Sequence, residues 1–169
     1  MISAARILIV DDERSIRELL EIVLKKEGFN VTSAQSAEEG LERCKAAEFD
    51  LVISDSTFHC FDDPRSVLAE ISRVLKPSGA MLIRDLERPS RFSMARQIEK
   101  YGAPYGEQMK SHVQAALRGA YTRSEIQELL RESGIERAHV VQMDEHHIAV
   151  ERAGESDPNS WIRAREQYL

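Results

Sequence analysis

The chain has 169 residues, enough for one domain of ordinary size, and its 42% apolar and 31% charged side chains suit a single core under a water-facing surface. Its 23 basic and 29 acidic side chains give a net charge of −6, which argues against a nucleic-acid binder, because neutralising phosphates needs clustered Lys and Arg. No apolar run approaches the roughly 20 residues of a membrane span, the N-terminus lacks the layout of an export signal, and two cysteines, Cys44 and Cys60, suit a reducing, cytoplasmic setting.

Arg6-Ile7-Leu8-Ile9-Val10 is a short β-branched run ending in Asp11-Asp12, which predicts a strand covered on both faces, as in a parallel sheet. Ile16, Leu19, Leu20, Val23 and Leu24 recur at helical spacing over about 13–27, and Gly28 is a suitable stop. Residues 29–34 read as a second strand. Ser36-Ala37-Glu38-Glu39 is a capping box opening a helix to about Ala47, and Asp50–Ser54 is a third strand followed by Asp55.

Asp63-Pro64 starts the next helix, whose stripe is Val67, Leu68, Ile71, Val74 and Leu75, and Lys76-Pro77-Ser78-Gly79 is expected to end it before a fourth strand at Ala80–Arg84. Residues 90–118 are helical in pattern with a break near Gly102-Ala103-Pro104. Thr122-Arg123-Ser124-Glu125 is a second capping box, leading to a buried face of Ile126, Leu129 and Leu130 and a stop at Gly134. Arg137–Met143 and His146–Arg152 predict an antiparallel hairpin, and 154–169 is a polar tail, apart from Trp161, Ile162 and Tyr168, that reads as a short helix or an unstructured end. Alternating strands and helices with right-handed crossovers predict a three-layer, doubly wound α/β sheet. The expected six-strand order is 2-1-3-4-6-5, mostly parallel, with the last strand antiparallel.

Two families are resembled over adjoining segments. Ile7-Leu8-Ile9-Val10-Asp11-Asp12-Glu13, Gly28-Phe29-Asn30-Val31 and Phe49–Asp55 resemble a response-regulator receiver domain, the flavodoxin-like module of two-component signalling. Phe49–Asp55, Phe58-His59, Asp62-Asp63-Pro64, Val74–Ile83 and the final hairpin resemble the C-terminal half of a class I S-adenosylmethionine-dependent methyltransferase, a Rossmann-like fold. Each pattern is incomplete. The receiver resemblance implies a Pro soon after Asp55, a Ser or Thr ending the fourth strand and a late Lys. Here Ser56-Thr57-Phe58-His59 follows Asp55, the fourth strand ends in Arg84-Asp85, and residues 111–169 hold no Lys. The methyltransferase resemblance implies a Gly-rich turn after the first strand, where Asp11-Asp12-Glu13-Arg14 stands instead.

Residues 1–55 carry 7 basic and 12 acidic side chains, and residues 56–169 carry 16 and 17. With the two partial patterns, this predicts an engineered fusion: one hybrid domain over 1–153, receiver-like in 1–55 and methyltransferase-like in 56–153. A divergent natural member of either family stays open as the alternative.

Ligands of doubly wound sheets bind beyond the carboxyl ends of the strands, where strand order reverses. Asp11, Asp12 and Asp55 stand at those ends, and converging carboxylates favour an oxygen-seeking cation. The receiver resemblance implies Mg²⁺ there, with Asp55 as phosphoacceptor, although strand ends also favour Asp simply because the chain turns into water. The methyltransferase resemblance leaves only Ser56, Phe58 and His59 as a residual pocket floor. The expectation is a scaffold, not an enzyme, which requires no cofactor and retains weak Mg²⁺ binding. A phosphoacceptor signalling module is the first alternative and a methyltransferase relic the second. His146-His147 reads as surface, His59-Cys60 as loop or packing, and Cys44 as a small core residue. The 90–118 helices, with Phe92, Met94, Ile98, Tyr101, Tyr105 and Met109, read as packing or as a self-association surface.

Overall fold

The computed structural model describes residues 5–10, 14–45 and 48–154. Its elements in chain order are β1 (Arg6–Val10), α1 (Arg14–Lys26), β2 (Asn30–Ala34), α2 (Ala37–Lys45), β3 (Phe49–Asp55), a 3₁₀ turn at Phe58–Cys60 and α3 (Pro64–Val74). There follow β4 (Leu75–Leu86), α4 (Arg91–Gly102), a 3₁₀ turn at Ala103–Tyr105, α5 (Glu107–Gly119), α6 (Arg123–Ser133), β5 (His139–Gln142) and β6 (His147–Arg152). The six strands form one sheet in the order β2-β1-β3-β4-β6-β5, flanked by helices. β1 runs parallel to β2, from Arg6↔Asn30 to Val10↔Ala34, and parallel to β3 at Ile7↔Leu51. β5 and β6 pair antiparallel, Val140 opposite Val150. The expected topology is therefore the observed one. Among the described residues, no helix is long and apolar enough to cross a membrane.

The chain divides into two compact units. The first comprises residues up to Val52, Ala69–Met81 and the chain from Arg152 onward. Its core is Ile7, Ile9, Ala34, Phe49, Val74, Leu75, Ala80 and Met81. Asp50 at its base accepts from the Arg6 backbone N–H (2.9 Å) and the Lys76 ammonium (2.7 Å). Burial pushes the Asp50 carboxyl up, but these two donors outweigh it and hold the group below the usual carboxylate range. A carboxyl lowered in the folded state stabilises above its unfolded value of about 4, and that contribution is lost as pH falls through the lower folded value. Asp50→Asn is therefore expected to lose less melting temperature than the parent on acidification from about pH 5 to pH 3, read by circular dichroism.

The second unit comprises Ile53–Leu68 and Leu82–Glu151. Phe58, Leu68, Ile83, Leu117, Ile126, Leu129, Leu130, Ile148 and Val150 are buried in it. Its α6 opens with the expected capping box: Thr122 Oγ1 accepts from the Glu125 N–H, and Glu125 accepts from the Thr122 N–H (2.8 Å). The helix ends at Gly134 in the left-handed region.

One expectation requires correction. β4 begins not at Ala80 but at Leu75, directly after α3, so Lys76-Pro77-Ser78-Gly79 falls within the strand's range, bent so that the Gly79 Cβ position lies 3.0 Å from the Lys76 carbonyl oxygen. The reason is tertiary: the Arg152 guanidinium donates to the carbonyls of Gly79 (3.0 Å) and Lys76 (2.9 Å), and Lys76 is held by Asp50. Pro77 tolerates an extended backbone, and a side chain at Gly79 would run into Leu75, 2.5 Å from the ideal Cβ position. The apolar stripe of α1 is only partly covered, and none of the helix's residues is fully buried. Leu20, Val23 and Leu24 are half-covered, while Ile16 and Leu19 stand in solvent.

Candidate functional site

Asp55 closes β3, and its neighbour across the ladder is Arg84 on β4, whose carbonyl accepts from the Ser56 N–H at 2.9 Å. This register carries the Arg84 guanidinium onto the Asp55 carboxylate. One guanidinium nitrogen, Nη1, lies 3.1 Å from Oδ1 and 3.2 Å from Oδ2. Ser56 takes a left-handed backbone (φ 54°), and its hydroxyl donates to Asp55 Oδ1 at 3.0 Å. The Thr57 hydroxyl closes the turn on the Asp55 carbonyl. The candidate phosphoacceptor is thus neutralised and hydrogen-bonded by its own neighbours. Asp11 and Asp12, the other two proposed metal ligands, lie outside the described residues. Among the described residues no group of three or more His, Cys, Asp or Glu side chains could hold a metal.

Beyond the turn, Phe58 is 2% exposed. Its ring meets Phe61 edge-on at 6.1 Å and Tyr121 at 5.7 Å. A cavity of about 10 Å³ lies beside it, lined by Ile83, Asp85, Tyr121, Ile126 and Ile148, and is of the size of about one water.

His59 faces a partner that sequence reasoning left without a role. Asp85 on β4 is 7% exposed, accepts from the His59 backbone N–H (2.8 Å) and Nδ1–H (2.6 Å), and also receives the Leu86 N–H (2.6 Å). α5 comes close at the same point: a Cβ on Gly119 would sit 2.7 Å from the His59 carbonyl oxygen, so glycine is required there. The signal was present in the sequence. Met81, Ile83 and Asp85 alternate along β4 and share its buried face, so a carboxylate in that register needs fixed donors.

The remaining candidates are placed as follows. Cys44 is half-buried and burial pushes its thiol up, whereas Cys60 is exposed. His147 Nδ1 pairs with Asp144, while His146 Nε2 lies 2.6 Å from the Tyr101 hydroxyl, so the two imidazoles serve different partners. On the 90–118 helices Phe92, Tyr105 and Met109 are exposed. In the first unit a polar cleft of about 260 Å³ lies among Arg17, Ser33, Gln35, Glu39 and Arg43. There the Gln35 N–H and the Arg43 guanidinium hold the Glu39 carboxyl below its usual range.

Comparison with known proteins gives one likeness by sequence, confined to the N-terminal end, and another by fold, over most of the chain. The response regulator receiver domain model matches residues 7–62. Transcriptional regulatory protein YvrH of Bacillus subtilis is 48% identical over 52 residues, 30% of this chain and 22% of its own. GlrR of Escherichia coli is 39% identical over 70 residues, 41% of this chain and 16% of its own. The chain therefore spans about a fifth of the length of these curated relatives.

Solved structures give a different likeness. The plantazolicin methyltransferase BamL superposes with a TM-score of 0.62 at 14% identity, over 88% of this chain and 77% of that one. An O-methyltransferase family protein from Burkholderia thailandensis gives 0.60 at 13% identity, over 91% and 45%. A SAM-dependent methyltransferase from Aquifex aeolicus gives 0.51 at 19%, over 86% and 67%. The class these findings define is an α/β protein with the fold of such methyltransferases, carrying a receiver-like sequence at its N-terminal end.

Proposed function

We propose that this chain is an engineered hybrid scaffold, receiver-like over 1–55 and methyltransferase-like over 56–153, without efficient catalysis of its own. The observation that carries this reading is the Arg84 guanidinium against both oxygens of Asp55. Phosphoryl transfer to a carboxylate relies on a free attacking oxygen and on cations that neutralise the transferred group. Here the oxygens are already engaged, and an Arg from the neighbouring strand is not equivalent to a Lys poised over the phosphoryl oxygens.

Three features of the second unit argue against a methyl-donor site at Ser56, Phe58 and His59. Phe58 is buried, His59 is tied to Asp85, and the adjoining cavity is of water size. Such a site would have to accommodate a whole nucleoside. Those three residues do not fit the cofactor.

With acetyl phosphate and Mg²⁺, the intact mass is expected to stay unchanged, and calorimetry with S-adenosylmethionine is expected to give no binding heat. A phosphoryl mass increment abolished by Asp55→Asn would overturn this reading in favour of a phosphoacceptor module. That second reading is favoured by the receiver match, which includes Asp55. Residual cation binding belongs to the scaffold reading. Mg²⁺ is expected to raise the melting temperature slightly, and the rise is expected to disappear in Asp12→Ala or Asp55→Ala. It should grow in Arg84→Ala, where the competing cation is gone.

A further inference from the structure

Strand β2 stands at one end of the sheet, and among the described residues no strand pairs with its outer side. Along a strand the backbone groups of successive residues point to opposite sides. The Asn30 N–H donates to the Ala5 carbonyl at 2.9 Å, which assigns Asn30, Thr32 and Ala34 to the ladder with β1. Val31 and Ser33 therefore turn their N–H and C=O groups outward. An uncovered edge of this kind recruits another strand unless Lys, Pro or a bulge blocks it. Asn30-Val31-Thr32-Ser33-Ala34 contains neither a charge nor a Pro.

Outward residues with one inward residue between them suit an antiparallel partner. A twofold axis through Thr32 sets Val31 opposite Ser33 of a second copy, and Ser33 opposite its Val31. Each of these pairs exchanges both N–H···O=C bonds, so the edge matches itself. The same patch serves both copies, and the contact closes as a dimer.

The helix beside this edge is charged to suit the same axis. α1 packs on β1 and β2, and Glu21 faces the edge strand, where its carboxylate accepts from the Ser33 hydroxyl. Lys25, one turn on, pairs with Glu21 at 2.6 Å. α1 runs antiparallel to β2, because it returns the chain between two parallel strands. Thr32 lies about 3.3 Å from Ser33 along the strand, which corresponds to about two residues of α1 beyond Glu21. The axis therefore falls level with Val23 and exchanges the levels of Glu21 and Lys25. Edge-to-edge pairing sets the two α1 axes about 10–14 Å apart, within reach of facing long side chains. Glu21 of each copy then meets Lys25 of the other. Ile22, three residues before Lys25, is 55% exposed and adds apolar surface at this rim.

We propose that this chain forms a symmetric dimer in which β2 pairs antiparallel with β2 of a second copy about Thr32, with Glu21 and Lys25 of the two α1 helices cross-paired. Sedimentation velocity of the full chain over a concentration series tests it. The parent is expected to pass from monomer to dimer as concentration rises. Val31→Pro removes an outward N–H without breaking a bond to β1. It is expected to abolish the dimer while the far-ultraviolet circular dichroism stays folded.

Should Val31→Pro fail to fold, two charge reversals on α1 answer the same question. Lys25→Glu and Glu21→Lys each set like charges across the axis, and each is expected to be monomeric where the parent is dimeric. Mixed in equal amounts they are expected to form a heterodimer, because one copy then supplies the carboxylates and the other the ammonium groups. A parent that stays monomeric throughout the series overturns the proposal. So does a dimer that survives in folded Val31→Pro or in either charge reversal, which would place the interface elsewhere, or a mixture that stays monomeric.

Discussion

Replacing Asp85 by alanine is expected to cost about 3–5 kcal/mol, the range for removing one partner of a buried charged network. The carboxylate takes three donors, the His59 backbone N–H, the His59 ring Nδ1–H and the Leu86 N–H, and lies almost wholly out of water. Alanine leaves all three donors without an acceptor in a place where little water can replace it. Asp85→Asn keeps one carbonyl oxygen and is expected to lose distinctly less. Urea unfolding followed by circular dichroism separates the two variants. A loss under about 0.5 kcal/mol for Asp85→Ala would mean that the network only offsets its own desolvation.

Phe58→Ala is expected to cost a comparable amount, about 3–5 kcal/mol, because it removes a buried aromatic side chain and leaves a cavity that relaxes only in part. Phe58 touches the rings of both Phe61 and Tyr121, and a void already lies at its side. Deleting the ring would enlarge that void instead of letting the walls close. The same urea titration measures the loss, and Phe58→Leu should recover most of it. The variant has a second use. If a pocket for a flat apolar ligand can be opened in this protein, the enlarged space beside Ile83, Tyr121 and Ile126 is where it would form, and an apolar probe should raise the midpoint of Phe58→Ala but not of the parent.

Asp85 and Phe58 also mark the difference between what was readable and what was not. His59 and Asp85 are 26 positions apart, and no local pattern links them. They meet because β3 and β4 lie side by side in a register where the Ser56 N–H bonds the Arg84 carbonyl. That one step of register aims Arg84 at Asp55 and Asp85 at His59, since neighbouring residues on a strand face opposite ways. The methyltransferase resemblance implied a pocket floor at Phe58, and in the fold its ring is buried against those of Phe61 and Tyr121. Asp55 was legible as a strand-end carboxylate, and the register of β3 on β4 is what brings the Arg84 guanidinium onto it.

The elements in chain order were legible because they rest on short-range properties: period two or period 3.6 and capping side chains at Ser36 and Thr122. β4 was misread at its start for the same reason. Lys76-Pro77-Ser78-Gly79 reads as a turn by local chemistry, and the Arg152 guanidinium, more than 70 residues away, ties its Lys76 and Gly79 carbonyls to the end of β6. The amino-acid sequence alone determined that there are six strands, the helices between them and the place of Asp55 at the end of β3. The tertiary structure alone decided which carboxylates are satisfied, which aromatic is buried and which half of α1 stays bare. Periodicity is a property of neighbours along the chain, whereas burial and charge pairing depend on which distant segments come to lie together.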